Sequence, residues 1–168
     1  MFSLLPNHAK LMKFFLASDE VVGRKKLQKM IYILKQCDIP FEEKYEFHFY
    51  GPYSEELTLR VQELCNLGFL SETKEKKSNY YQYRYQMTEQ GEEFLNHSTV
   101  QIPAIENMVG LMKKKSSRFL ELVSTMLYFD DLSKQEVEEK VQNVKKTQNY
   151  TDNDLQEAWG FIAELKQS

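Results

Sequence analysis

This 168-residue chain has little of what staples or breaks a fold: two cysteines, six glycines and four prolines. Two thiols, Cys37 and Cys65, are too few for a disulfide framework or an all-cysteine zinc site. Both fall in helical stretches among apolar neighbours. They read as small buried hydrophobes in a reducing compartment, so the expected location is cytoplasmic. Glycines scattered singly cannot build the loop that cradles a phosphate, which removes the common nucleotide-binding motifs. No window approaches the ~18 apolar residues of a membrane span. Met1-Phe2-Ser3-Leu4-Leu5-Pro6 has neither a basic stretch nor a sustained apolar one, so no signal peptide is expected. Charge of one sign is missing too: 22 basic residues stand against 25 acidic, a net of -3. Neither the part before His97 nor the part after it is a basic arm.

Catalytic groups are equally thin. His8, His48 and His97 fall on three different elements, none at ligand spacing from another histidine, cysteine or carboxylate. Ser116-Ser117, Ser133 and Thr151 suit helix caps or the surface better than nucleophilic roles. Asp130-Asp131 and Glu138-Glu139 are sequence neighbours on helix ends or solvated faces. The expectation is a protein that is not an enzyme, with no cofactor and no metal.

What is present is a globular pattern, 42% hydrophobic and 28% charged. A chain of this length buries roughly 70% of its unfolded surface and needs no staple. Leu11, Phe14, Phe15 and Leu16 give residues 7–17 helical spacing. After a break at 18–23, residues 24–36 repeat the pattern with Leu27, Met30, Ile31 and Leu34, and Asp38-Ile39-Pro40 ends it. Tyr45, Phe47 and Phe49 alternate with Lys44, Glu46 and His48, the period of a strand with one wetter face. Gly51-Pro52-Tyr53 reads as a turn, and Ser54 caps a helix whose first turn holds Glu55 and Glu56. Gly68 stops that helix.

Phe69-Leu70 then opens a short strand, 72–79 is a polar tip, and Tyr80 to Met87 is the return strand. Tyr81, Tyr83 and Tyr85 share its core face. Thr88 caps a short helix holding Phe94 and Leu95. A helix, a hairpin and a short amphipathic helix in this order look like the closing half of a winged-helix domain. Beyond a polar seam at 96–101 the chain is helical. One long helix is expected over 103–129, with Pro103 in its first turn and Met108, Met112 and Met126 in its stripe. A Ser133-x-x-Glu136 capping box and Thr151 with Asp154 begin two more helices. The expected fold is α+β: a winged-helix-like domain with a β-hairpin wing (1–98), then a helical extension (99–168).

Two functional readings compete. For nucleic acid, the basic candidates are Arg24 and Lys25 on helix 24–36, Lys74, Lys76 and Lys77 on the wing, and Arg84 on its return strand. The helix in the recognition position opposes this with Glu55, Glu56 and Glu63 against Arg60 alone, since glutamates repel phosphates. For a protein partner, tyrosines are dense, and Tyr50, Tyr53 and Tyr80 are the ones expected at the surface. The apolar stripes of the C-terminal helices offer a route to a homodimer. A DNA-binding regulator is therefore the alternative, and a regulatory protein-interaction module the main expectation.

Two family likenesses attach to particular residues. Lys26-Leu27-Gln28-Lys29-Met30-Ile31-Tyr32, followed by a strand and Tyr50-Gly51-Pro52, resembles the signature of the Panacea antitoxin domain over about residues 8–70. Gly23-Arg24-Lys25-Lys26-Leu27-Gln28-Lys29, with Phe47-His48-Phe49-Tyr50-Gly51-Pro52-Tyr53-Ser54, resembles the YwgA family of small Bacillus-type proteins of unassigned function. The second likeness extends through Tyr85-Gln86-Met87-Thr88 and the last two helices. The Panacea resemblance implies a non-enzymatic module that regulates a protein by direct contact, with Lys26, Gln28, Lys29, Tyr32, Gly51 and Pro52 as its motif residues. Gly51 permits a tight turn, Pro52 fixes the approach to the next helix, and Gln28 and Lys29 are placed to bond the strand ends.

Overall fold

The computed structural model describes residues 4–168; Met1, Phe2 and Ser3, part of the stretch read for a leader, lie outside the described residues. The chain runs α1 (Leu4–Ser18), β1 (Glu20–Val22), α2 (Arg24–Gln36), β2 (Glu46–His48), β3 (Gly51–Tyr53) and α3 (Glu55–Asn66). It continues β4 (Leu70–Lys76), β5 (Tyr81–Met87), α4 (Glu89–Asn96), α5 (Glu106–Lys113) and α6 (Ser117–Tyr128). It ends with α7 (Lys134–Val144), a 3-10 turn and α8 (Asp152–Lys166). The fold is α+β, with one antiparallel sheet ordered β1-β5-β4 and a separate β2–β3 hairpin.

Local chemistry sets most of these boundaries. The side chains of Ser54, Thr88, Ser133 and Thr151 each accept a backbone N–H at a helix start, and the last two complete capping boxes with Glu136 and Asp154. Gly68 has φ +82° and donates to the Cys65 carbonyl at 3.0 Å, closing α3 in the left-handed turn that glycine adopts without strain. Gly91 lies in the first turn of α4, where a Cβ would fall 2.2 Å from the Phe69 carbonyl oxygen.

Several elements differ from the sequence reading. The break at 18–23 contains β1, whose Val21 pairs with Tyr85. Three residues are too few to show alternation, so tertiary pairing decides. Gly51-Pro52-Tyr53 is the strand β3 rather than the turn. The turn residues are Phe49 and Tyr50, between the partners His48 and Gly51. Phe49 therefore leaves the alternation of the preceding strand. The stretch 72–79 is not all tip: β4 reaches Lys76, in register with Tyr81, because both its faces are polar and only pairing marks it as a strand. Of the three tyrosines assigned to the core face only Tyr85 is buried; Tyr83 is half-buried and Tyr81 exposed, because the hairpin projects past the helices.

The long helix expected over 103–129 is two helices. The Lys115 amide bonds to the Met112 carbonyl in a tight last turn, and Ser116 caps α6 by accepting from the Phe119 amide at 3.1 Å. Pro103 precedes α5 instead of lying within it. The apolar phase carries across the break, which is why periodicity alone joined the two. Met108, Met112 and Met126 are buried, as is every residue from Leu120 to Leu127. Helix α6 packs along α2, so the C-terminal helices share the core of the first hundred residues and their methionine stripe is used internally. Among the described residues no helix is long and apolar enough to cross a membrane.

Candidate functional site

Three side chains of α2 organise the hairpin and the start of α3. Gln28 pairs with the Ser54 backbone as a second strand would: its carboxamide oxygen accepts from the Ser54 N–H at 2.9 Å, and its NH₂ donates to the Ser54 carbonyl at 2.9 Å. The same NH₂ reaches the Thr58 hydroxyl at 3.1 Å. One buried amide thus fixes both the cap of α3 and its distance from α2. At the next residue, Lys29 donates to the Pro52 carbonyl at 2.7 Å. It is 1% exposed, and burial lowers its amine to about 8, with Lys145 and Lys25 pressing the same way and Glu121 opposing. Tyr32 is buried against Tyr45, ring centroids 4.8 Å apart, and burial raises its hydroxyl pKa.

The C-terminal helices complete this clamp. Glu121 of α6 is buried with one oxygen 2.7 Å from the Lys145 ammonium and the other 3.1 Å from Lys25. Lys145, 4% exposed, also donates to the Phe49 carbonyl at 2.7 Å. Gly51, at φ +89°, sits where a Cβ would lie 3.2 Å from the Thr125 hydroxyl and 3.8 Å from the Lys29 amine. Two buried lysines therefore hold the carbonyls on either side of the Tyr50-Gly51 step. The clamped turn projects Phe49, 82% exposed, edge-on to Tyr50 at 5.0 Å, with Lys25 4.5 Å from the centre of the Tyr50 ring.

Between α2, α3 and the base of the β4–β5 hairpin lies a cavity of about 660 Å³. Buried Leu27, Leu57 and Val61 line it, with Tyr50 and Tyr53 from the clamped hairpin and Thr58, Gln62 and Asn66 from α3. At the hairpin end Arg24 stands 3.6 Å over the Tyr83 ring, donates to the Tyr85 hydroxyl at 3.3 Å and lies 3.5 Å from Glu72.

Gln28, Lys29, Gly51 and Pro52 of this clamp belong to both likenesses, and sequence comparison separates the two. Over 164 residues, covering 98% of this chain and 99% of the relative, the sequence is 58% identical to the uncharacterized protein YwgA of Bacillus subtilis strain 168. The chain belongs to the YwgA family. No family model matches, so the Panacea likeness draws no support from that comparison.

In this YwgA-family chain the sequence-selected residues divide by depth. Gln28, Lys29, Tyr32, Gly51 and Pro52 are buried and hold the clamp, and Lys26 donates to the Lys113 carbonyl at 2.8 Å. Tyr50 and Tyr80 are exposed, and Tyr53 is half-buried with its hydroxyl 3.0 Å from that of Thr58. Of the basic candidates, Lys74, Lys76 and Lys77 are exposed on the β4–β5 hairpin, Lys74 lying 4.2 Å from the Tyr81 ring centre. Arg84 is held by Glu75 at 3.1 Å and by Glu20. Arg24 and Lys25 border the cavity, each beside a carboxylate.

Two of the three acids of α3 have intrachain partners, while Glu55 is exposed at its N-terminal end. Glu56 accepts from the Lys44 amide at 2.8 Å and Glu63 pairs with His8 at 3.0 Å, while Arg60 is taken by the buried Glu43. The cavity-facing flank of α3 carries neutral Thr58, Gln62 and Asn66 instead. Sequence reasoning missed Glu121, Lys145 and the exposure of Phe49. A lone carboxylate inside the apolar run from Phe119 to Leu127 was the available signal for Glu121. Lys145, in a lysine pair at a helix end, gave none. Among the described residues no group of three or more metal-ligating side chains converges.

Proposed function

We infer that this chain is a regulatory module that binds a protein partner directly, without chemistry of its own, through the clamped β2–β3 hairpin. The single observation that carries this is Phe49, 82% exposed on a turn whose carbonyls are tied to buried Lys145 and Lys29. An aromatic side chain held in water by a rigid turn loses little entropy when it enters a partner's pocket, which is how interface anchors gain affinity. Exposed Tyr50 beside it and exposed Leu59 on α3 extend the surface. The order α1-β1-α2-β2-β3-α3-β4-β5, with β1 against β5 and the β2–β3 hairpin inserted between α2 and α3, supports a winged-helix framework for this module.

The alternative, a DNA-binding regulator, has one observation in its favour. The cavity-side flank of α3 is uncharged, and exposed Lys74, Lys76 and Lys77 lie on the adjacent hairpin in the place of a wing. Against it, a recognition helix reaches bases through its N-terminal end. Here Tyr50 and Tyr53 line the same cavity as Leu57 and Thr58 of the first turns of α3, so aromatic rings border that end.

The test uses the tagged full-length chain in a lysate at near-physiological salt, with Phe49→Ala/Tyr50→Ala as the comparison. The expected result is a stoichiometric protein that the double variant, with unchanged circular dichroism, fails to retain. Capture of nucleic acid with no such protein, lost on Lys76→Glu/Lys77→Glu and falling steeply with salt, would overturn the protein reading in favour of DNA.

A further inference from the structure

The cavity between α2 and α3 is a separate feature from the projecting hairpin, and its lining chemistry is uneven. Its volume, about 660 Å³, lies within the range of small-molecule sites. The apolar side is aliphatic and aromatic: Leu27, Leu57, Val61, Tyr50 and Tyr53. The charged side is mostly one sign, with Arg24, Lys25 and Lys29 against Glu72. Arg24 and Lys25 each have a carboxylate nearby, Glu72 at 3.5 Å and Glu121 at 3.1 Å. Lys29 does not. Among the described residues no carboxylate lies within 4.0 Å of its ammonium, and its one hydrogen-bond acceptor is the Pro52 carbonyl. An ammonium has three N–H donors, so a buried cation bordering the cavity keeps donor capacity that the protein leaves unused. Buried Glu121 is shared by Lys25 and Lys145 within ion-pair distance, leaving the cluster with more positive than negative charge.

A buried cation beside an apolar wall is matched by one kind of molecule: an anionic head on an apolar body. We propose that the α2–α3 cavity binds a small organic carboxylate, its carboxylate among Lys29, Lys25 and Arg24 and its hydrocarbon against Leu27, Leu57 and Val61. The ligand supplies a counter-charge to Lys29 and fills the cavity with hydrocarbon against its buried apolar lining. Tyr50 and Tyr53 belong both to the cavity wall and to the clamped hairpin, so the ligand lies beside the displayed turn without altering its clamp. The proposal does not depend on which macromolecule the hairpin binds.

The chain carries a built-in reporter. Cys65 borders the cavity and Cys37, at the end of α2, does not. Decanoate is the probe, decanol its uncharged counterpart, and the readout is the alkylation rate of each thiol by mass spectrometry, together with the unfolding temperature. At millimolar ligand, decanoate slows Cys65 alkylation about fivefold or more in a saturable way, leaves Cys37 unchanged and raises the unfolding temperature. Decanol at the same concentration does neither. Gln62→Trp, at an exposed position on α3, fills the cavity mouth and abolishes decanoate protection while the fold persists. Lys29→Met abolishes it if that variant folds, and the Gln62→Trp result stands if it does not. Equal effects of decanol and decanoate, equal protection of Cys37 and Cys65, or unsaturable protection that survives Gln62→Trp would overturn the assignment.

Discussion

Replacing Glu121 by Gln tests whether the hairpin clamp is one coupled unit. Glu121 and Lys145 are 2.7 Å apart with side chains 2% and 4% exposed, so neither charge can turn to water when its partner is lost. Glu121→Gln leaves Lys145 with the Phe49 carbonyl but no carboxylate, and breaking a buried pair this way costs about 3–5 kcal/mol. Lys145→Met leaves Glu121 with Lys25 at 3.1 Å, which places its cost near about 3 kcal/mol, the lower end of the same range. The double variant removes both buried charges together. Lys25 can then extend into solvent, because its side chain is 38% exposed. The expected double-variant cost is lower than the sum of the singles by about 2–3 kcal/mol, a coupling typical of groups sharing one network. Urea unfolding followed by circular dichroism at 25 °C gives all four free energies, provided the slope with urea stays constant across the set. Additivity within about 0.5 kcal/mol would show that the two charges act independently and would refute the reasoning.

The other predictions concern backbone space and protons. Gly91→Ala places a methyl 2.2 Å from the Phe69 carbonyl oxygen, a contact backbone cannot relieve cheaply, so a loss of about 3 kcal/mol is expected in the same unfolding assay. Gly51→Ala combines a positive φ with a Cβ 3.2 Å from the Thr125 hydroxyl, and a loss of about 1–3 kcal/mol is expected, with decreased protection of the hairpin amides in hydrogen exchange. Lys29 is lowered to about 8 in the folded protein, so between there and its unfolded value of 10.5 the unfolded chain holds more protons. Stability then rises with pH across that window. From pH 8 to 9.5 wild type should gain about 1 kcal/mol relative to Lys29→Met, and an identical pH response in the two would remove the protonated Lys29 from the account.

How far the fold was legible follows from where the determining chemistry lies. Ser54, Gly68, Thr88, Ser133 and Thr151 act on their own backbone within four residues, and the elements they bound lie where the sequence places them. The break between α5 and α6 is equally local, a Ser116 cap, but apolar periodicity that keeps phase across it outweighed the serine. Strand β1 and the part of β4 beyond Leu70 are fixed by pairing with β5 rather than by their own pattern, so the sequence showed only the opening of β4 at Phe69-Leu70 and nothing of the three-residue β1. The candidate site was half legible. Gln28 and Lys29 do bond the β3–α3 junction, but Glu121 and Lys145, the ion pair that completes the clamp, stand about a hundred residues away in sequence. Only a fold that docks α6 against α2 brings them under the turn.

The clamp changes what a Lys-Leu-Gln-Lys and Gly-Pro likeness can say about function. Gln28, Lys29, Gly51 and Pro52 are buried, with Gln28 on Ser54, Lys29 on Pro52 and Gly51 against Thr125, while Lys26 is half-buried on the Lys113 carbonyl. A motif used in this way reports that a chain builds the hairpin, not what the hairpin meets. On the proposed reading, discrimination between partners comes from side chains the clamp displays but does not use, Phe49 and Tyr50 first among them. The same separation answers the electrostatic objection to a duplex. Net charge on α3 is a poor guide when Glu56 and Glu63 already have intrachain partners and Arg60 is taken by Glu43. On the proposed reading, what disfavours a duplex is that Tyr50 and Tyr53 share a cavity wall with Leu57 and Thr58 in the first turns of α3, on a hairpin held by Lys145 at Phe49 and by Lys29 at Pro52.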